Sequence, residues 1–323
     1  MTCLKVSASS KTGNFPCLRY KISEVKLYKQ GQVPGHEWSM RWNKNTSEPI
    51  QEWASAETRV IQVSEGYSDR VLELRVRRFV PQDGDKLERS WAYNGEKRTA
   101  KIPPFALIDL GRGKTSYVKY IRDSMDQAFD KILSRKRSGK RDERRGMLYQ
   151  TYIQAVKHCE LRNTPEESKD VLLLTFRLWM AIRLSTKSVF IVGEDTLGMS
   201  RDILDETSGN PGKIPLPPVL GAQLDVILIH HIQSNLRRQV LEKVEKMVSK
   251  RQLDTWMGTY LVTFMLLHNA SLIIAHDKEY AKKHGMKVRI SHETNREWLQ
   301  RRILRHTVGP ICPCGQSPGV SDG

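Results

Sequence analysis

The sequence predicts an α+β protein, mainly α, in which a small antiparallel sheet packs on a helical array behind an extended N-terminal arm. Two different spacings of the apolar residues along the chain predict this fold class. Residues 57–102 alternate apolar and polar side chains, as half-buried strands do, whereas from about residue 105 apolar residues recur every three or four positions, as in helices. The 323 residues are 39% hydrophobic, which is enough for a core and excludes full disorder.

The predicted arm, residues 1–50, is basic and has no apolar period. The aromatic residues Tyr20, Tyr28, Trp38 and Trp42 are interleaved with its cations, which suits phosphate contacts with some stacking. The candidate nucleic-acid contacts in the arm are Lys5, Lys11, Arg19 and Lys21. The alternative is an extended segment pinned to the body by Trp38 and Trp42.

Residues 51–104 are predicted to form a small antiparallel sheet of about four strands. Leu72, Leu74 and Val76 alternate with charged residues, so one face of that strand should be buried and the other solvated. Asn94-Gly95 lies between two strand-like runs, and this pair suits a two-residue hairpin turn because both residues tolerate positive φ.

A helical region is predicted over residues 105–290, beginning with a helix over Tyr117–Leu133. The basic run that follows supplies further candidate nucleic-acid contacts: Arg135, Lys136, Arg137, Lys140 and Arg141. The composition of this run fits a phosphate-contacting patch and a solvated loop equally well. Beyond it, Thr164 and Glu167 form a predicted capping box for the next helix.

Two further helices are predicted over Gln223–Lys250 and from Trp256 to about Lys283, as an antiparallel pair. The apolar stretch Tyr260–Ile274 is shorter than the roughly 20 residues that a membrane-spanning helix needs. We therefore expect a buried helix and no membrane contact. Its apolar residues include Tyr260, Leu261, Phe264, Leu267 and Leu272. Residues 291–323 form a basic tail that we expect to be disordered.

The net charge of +17 indicates a polyanionic partner, and nucleic acid is the first to consider. Gly111–Thr115 reads GRGKT but lacks the first glycine of a phosphate loop, since position 108 is Ile108. No nucleophile and base stand at a catalytic spacing. The chain is therefore predicted not to be an enzyme.

Several segments resemble the regulatory region of fungal binuclear zinc-cluster transcription factors. Phe15–Ile22 is similar to the end of the zinc cluster in that family, and the resemblance extends over about residues 15–290. It is strongest in Arg183–Lys187, Val192–Met199, Lys213–Asp225, Tyr260–Phe264 and Leu267–Asn269.

The resemblance implies a transcription regulator of the nucleus. In that family six cysteines hold two zinc ions and place a short helix in the DNA major groove. Here Cys3 and Cys17 match at most the last two ligands, so the cluster is truncated and zinc is expected only if a longer product supplies the others. We expect weak, non-specific DNA binding and protein partners. The alternative is a non-enzymatic helical scaffold for protein–protein interaction.

Overall fold

The computed structural model describes residues 37–42, 47–133, 143–250 and 252–283. The chain divides into two compact units at Ile273/Ile274. The described part of the second unit consists of the last turns of one helix.

The main sheet has five antiparallel strands. Two long strands form its centre, β1 (Trp53–Ser64) and β2 (Leu72–Phe79). The shorter strands of the fold are β3 (Glu88–Tyr93), β4 (Glu96–Lys101), β5 (Phe105–Leu107), β6 (Phe190–Ile191) and β7 (Ile214–Pro215). The order is β5-β2-β1-β6-β7, while β3 and β4 pair separately as a two-stranded ribbon.

The α+β, mainly α class is confirmed, as is the alternation along β2. Leu72, Leu74 and Val76 are buried, and the residues between them are not. Asn94 and Gly95 have φ values of 51° and 84°, as the predicted hairpin turn requires. The single four-stranded sheet is not found, because the largely exposed β3–β4 ribbon does not pair with β2. Instead β5 occupies that edge, through the pair Val76 and Leu107.

The described residues form six α-helices. They are α1 (Leu110–Leu133), α2 (Glu143–Glu160), α3 (Glu166–Ser185), α4 (Pro218–Asp225), α5 (Ser234–Lys250) and α6 (Trp256–Lys283). Of these, α1 packs on β2 and α4 packs on β5. A π-helical segment, Val226–Gln233, joins α4 to α5 without a break. The helix predicted over Gln223–Lys250 is therefore present, with a change of hydrogen-bond pattern inside it. Helix α5 packs chiefly against α3.

The core is centred on Trp179 of α3, whose side chain is fully buried. Its indole stacks on Phe129 of α1 with 4.6 Å between ring centroids, and Tyr152 of α2 lies 5.6 Å away. Aromatic residues bury large areas and favour such offset or tilted pairs. Helices α1, α2 and α3 therefore share one aromatic cluster.

A buried carboxylate ties the sheet to α1. Glu65, just after β1, accepts hydrogen bonds from the hydroxyls of Tyr117 at 3.1 Å and Tyr120 at 2.9 Å. Burial raises the pKa of Glu65, while these hydrogen bonds act in the opposite direction. The two tyrosines thus satisfy a carboxylate that water does not reach.

The predicted capping box at the start of α3 is wrong. The Thr164 hydroxyl donates to the carbonyl of His158 at 2.6 Å, and no side chain caps α3. Thr164 therefore stabilises the end of α2, because an unpaired carbonyl lies within its reach there.

The described end of the arm is anchored to the body. Arg41 forms an ion pair with Asp85 at 2.8 Å, and Ser39 donates to the same carboxylate. Trp38 packs directly on Gly221 of α4, where a Cβ would collide with the indole ring. For residues 37–42 this agrees with the pinned-segment alternative.

Candidate functional site: the uncharged face of helix α6

Helix α6 and the short 3₁₀ turn before it, Leu253–Thr255, expose large apolar side chains. Leu253 is 87% exposed, Trp256 55%, Tyr260 53% and Leu267 67%. Single exposed apolar residues are ordinary on soluble proteins, but a contiguous set that includes Trp and Tyr is typical of interaction surfaces.

These residues are spaced as in a coiled-coil seam. The positions Leu253, Trp256, Tyr260, Thr263, Leu267 and Ala270 are separated by alternating steps of three and four, and we call them the uncharged face. A repeat of 3.5 residues keeps one stripe of a helix directed at a second, parallel or antiparallel helix. The residues of the face therefore lie along a single stripe of α6 and of the turn before it.

No charge interrupts the face. The sequence contains no Asp, Glu, Lys or Arg between Asp254 and Asp277. In a chain of net charge +17 this is the stretch where another protein surface could approach without meeting a repelling cation.

The opposite side of α6 is packed closely against the body. Gly258 lies so near Ser168 of α3 that a Cβ there would stand 2.7 Å from the Ser168 hydroxyl oxygen and 2.8 Å from its Cβ. Only glycine allows this approach of the two helices, which fixes the side of α6 that remains outside.

His268 makes the polar contact between α6 and α2. The Tyr152 hydroxyl lies 2.8 Å from His268 Nδ1, and the two rings meet edge to face. Burial, assisted by the positive charge of Arg183, lowers the pKa of His268 to about 4. At neutral pH the imidazole is uncharged, and its tautomer decides which of the Tyr152 hydroxyl and Nδ1 donates the hydrogen bond.

The expectation that Tyr260 and Leu267 are buried is wrong. Both are exposed, while Leu261, Val262 and Met265 between them are buried. The sequence could not separate the two sides, because α6 is apolar all around and a hydrophobic stripe marks a buried side only against a polar one. The missed signal was the seam spacing of Leu253, Trp256 and Tyr260.

The site residues predicted from the sequence lie outside the described residues. They are the possible zinc ligands Cys3 and Cys17 and the candidate nucleic-acid contacts Lys5, Lys11, Arg19, Lys21, Arg135, Lys136, Arg137, Lys140 and Arg141. The tail at 291–323 also lies outside them. These assignments stay predictions.

The described residues contain no group of three or more His, Cys, Asp or Glu side chains that could hold a metal ion. Within the same residues, one helical stretch, Leu253–Lys282, is long and apolar enough by length and composition alone to cross a bilayer, and 33% of its most apolar window is buried. Gly111–Thr115 lies inside α1, so it does not form the loop that a phosphate-loop site needs.

The chain is similar to known transcription factors. It is 20% identical over 309 residues to "Satratoxin biosynthesis SC3 cluster transcription factor SAT20" of Stachybotrys chartarum, a match that covers 94% of this chain and 40% of that protein. The chain thus spans two fifths of the length of that curated relative. No solved structure matches it. The model of the KpeA transcription factor family matches residues 28–307. These similarities confirm the predicted resemblance to fungal transcription factors, and the chain belongs to the KpeA transcription factor family.

Proposed function

We propose that this chain is the regulatory part of a fungal zinc-cluster-type transcription regulator and that it acts in the nucleus without a complete zinc cluster of its own. The observation that carries the proposal is the family match over residues 28–307, which includes every helix and strand described above. The sequence supports the proposal that this chain holds no complete zinc cluster, because a two-zinc cluster needs six cysteines and this chain has five in all.

DNA contact is then electrostatic and independent of sequence, as the net charge of +17 suggests. Fluorescence anisotropy of the full chain with two labelled duplexes of unrelated sequence tests this. We expect equal affinities that fall at least about tenfold between about 50 and about 200 mM salt, because phosphate contacts release counterions. A sequence preference that survives the higher salt, or zinc bound in stoichiometric amount to the purified chain, would contradict the proposal.

The regulatory role is tested by fusing the full chain to a heterologous DNA-binding domain upstream of a reporter gene. We expect reporter expression to differ from that with the DNA-binding domain alone. The same fusion with Trp179→Ala, which removes the centre of the aromatic core, is the destabilised control. Equal expression from all three proteins would count against a regulatory role.

A second candidate function, a protein–protein interaction scaffold, is favoured by the uncharged face of α6. A partner for this face must be apolar, helical and uncharged, and the same face of a second copy meets all three conditions. Its exposed side chains present roughly 500 Å² each side, so two copies together remove roughly 1,000 Å², the lower limit for a specific interface. We therefore propose a weak symmetric dimer through α6.

Sedimentation equilibrium of the full chain tests this. We expect a concentration-dependent dimer that the double variant Tyr260→Glu/Leu267→Glu abolishes, because two carboxylates would be buried at the contact. Val118→Glu on α1 is the matched control, since Val118 is 50% exposed on a different helix. A wild-type monomer at every concentration overturns the dimer. A second test is flotation with neutral vesicles. If the wild type and Val118→Glu float with the vesicles and the double variant does not, the face binds a bilayer, and the dimer proposal is overturned as well.

A further inference from the structure

A cleft of about 250 Å³ opens between β2 and the first turns of α1, on the sheet side of the molecule. Three arginines line it, Arg75 and Arg77 from β2 and Arg112 from α1. On β2 these two arginines lie two residues apart and so point to the same face of the sheet. The start of α1 brings the third guanidinium to the same opening.

None of the three guanidiniums forms an ion pair with a carboxylate within the described residues. Arg77 donates to the Thr58 hydroxyl at 3.2 Å and lies over the Trp53 ring, while its Nε is buried without an acceptor. Surface arginines usually leave no donor buried in this way, since an unsatisfied donor costs free energy. The cleft thus holds cations whose hydrogen-bonding capacity the described residues leave unused.

The two carboxylates at the cleft have other partners. Asp109 accepts a hydrogen bond from the backbone N–H of Arg112 at 2.9 Å, which caps α1. Glu73 accepts one from the Gln62 side-chain amide at 3.3 Å. The cleft therefore keeps a surplus of one positive charge, and its free donors belong to arginine.

We propose that this cleft binds a small phosphate monoester through Arg75, Arg77 and Arg112. Guanidinium groups match the oxygens of a phosphate in pairs, and a monoester brings three acceptor oxygens and nearly two negative charges. Thr58 and Ser116 add hydroxyls to the same lining. The volume lies below the roughly 300–1,000 Å³ of pockets for drug-sized ligands, so the molecule attached to the phosphate is small.

Isothermal titration calorimetry of the full chain with glycerol 3-phosphate, at constant ionic strength, tests the proposal. We expect saturable binding that Arg75→Gln and Arg112→Gln each weaken roughly tenfold to a hundredfold, the effect of losing one charge-assisted hydrogen bond. Arg78→Gln is the matched control, because Arg78 is exposed on the same strand but does not line the cleft. Unchanged thermal unfolding of the variants shows that they are folded.

A labelled DNA duplex distinguishes a free phosphate ester from a nucleic-acid phosphate. We expect the three variants to lower duplex affinity equally, since each removes one positive charge. The proposal is overturned if wild-type protein shows no saturable binding of glycerol 3-phosphate, or if Arg78→Gln weakens it as much as the cleft variants. It is also overturned if the cleft variants alone lose duplex binding while glycerol 3-phosphate is not bound.

Discussion

Helices α1 and α6 are the two longest purely α-helical elements in the described structure, and their outward sides are built differently. Helix α1 carries charged residues along its exposed side: Arg112, Lys114, Lys119, Arg122, Asp123, Asp126, Asp130 and Lys131. Helix α6 exposes Trp256, Tyr260 and Leu267 and has no charge between Asp254 and Asp277. Both bury their inner sides in the same core. The difference shows that the outer side of α1 suits water, whereas that of α6 suits another apolar surface.

The largest expected effect separates buried from exposed tryptophan. Trp179→Ala should lower the free energy of unfolding by about 3–5 kcal/mol, because it empties the stack with Phe129. Trp256→Ala on the outer side of α6 should change it by less than about 0.5 kcal/mol. Urea denaturation followed by circular dichroism measures both. Equal losses would mean that the outer side of α6 is part of the core.

The second effect concerns the inner side of α6 and depends on pH. The pKa of His268 is about 4 in the folded protein and 6.5 without its surroundings, so the folded state resists protonation. The contribution of the neutral His268 to the free energy of unfolding is therefore complete above pH 6.5 and is lost as the pH falls from about 6.5 to 4. From the lowered pKa of His268 we expect the free energy of unfolding to fall by about 3 kcal/mol over that pH range. His158, His230 and His231 also have lowered pKa values and act in the same direction.

Urea denaturation at a series of pH values checks this. His268→Gln should flatten the decline between pH 6.5 and 4, because glutamine does not titrate there. Tyr152→Phe removes the hydrogen bond at 2.8 Å but leaves the imidazole, so it should keep the decline. If the free energy of unfolding of His268→Gln fell with pH as steeply as that of the wild type, His268 would not be the cause of the decline.

The smallest effect measures how closely α6 is held. Gly258→Ala should lower the free energy of unfolding by about 1–3 kcal/mol, because the new Cβ meets Ser168 of α3 at 2.7 Å. Gly146→Ala in α2 is the control, since a Cβ there meets nothing within 4 Å, and alanine should stabilise that helix by about 0.5 kcal/mol. Opposite signs for two identical substitutions are the expected outcome. A stabilising Gly258→Ala would show that α6 does not lie against α3 as described.

The contrast between the helices also shows what the sequence could reveal. The strand β2 and the Asn94-Gly95 turn were predictable, because alternation and positive φ are local properties. The start of α6 at Trp256 also matches the prediction. The exposed side of α6 was not predictable from hydrophobicity, since Leu261 and Leu267 are equally apolar and only the body decides which one is covered.

Long-range pairing was equally hidden. Strands β6 and β7 are two residues each and enter the sheet from within the predicted helical region, residues 105–290. Nothing in the sequence of Phe190–Ile191 distinguishes a strand from a loop, because its pairing with Val63 and Ser64 depends on the whole fold. The cleft at Arg75 and Arg112 has the same origin, since it joins residues from two separate elements.

The π-helical segment Val226–Gln233 gives the long helix an unusual tolerance of insertions and deletions. Removing one residue from an α-helix rotates everything after it by about 100°. A π-type turn, bonded from i to i+5, holds one residue more than an α-type turn, so losing that residue restores α geometry without this rotation. Val240 and Leu241 of α5 would still face the core. We therefore expect relatives whose lengths differ by one residue within this segment to conserve the same interior.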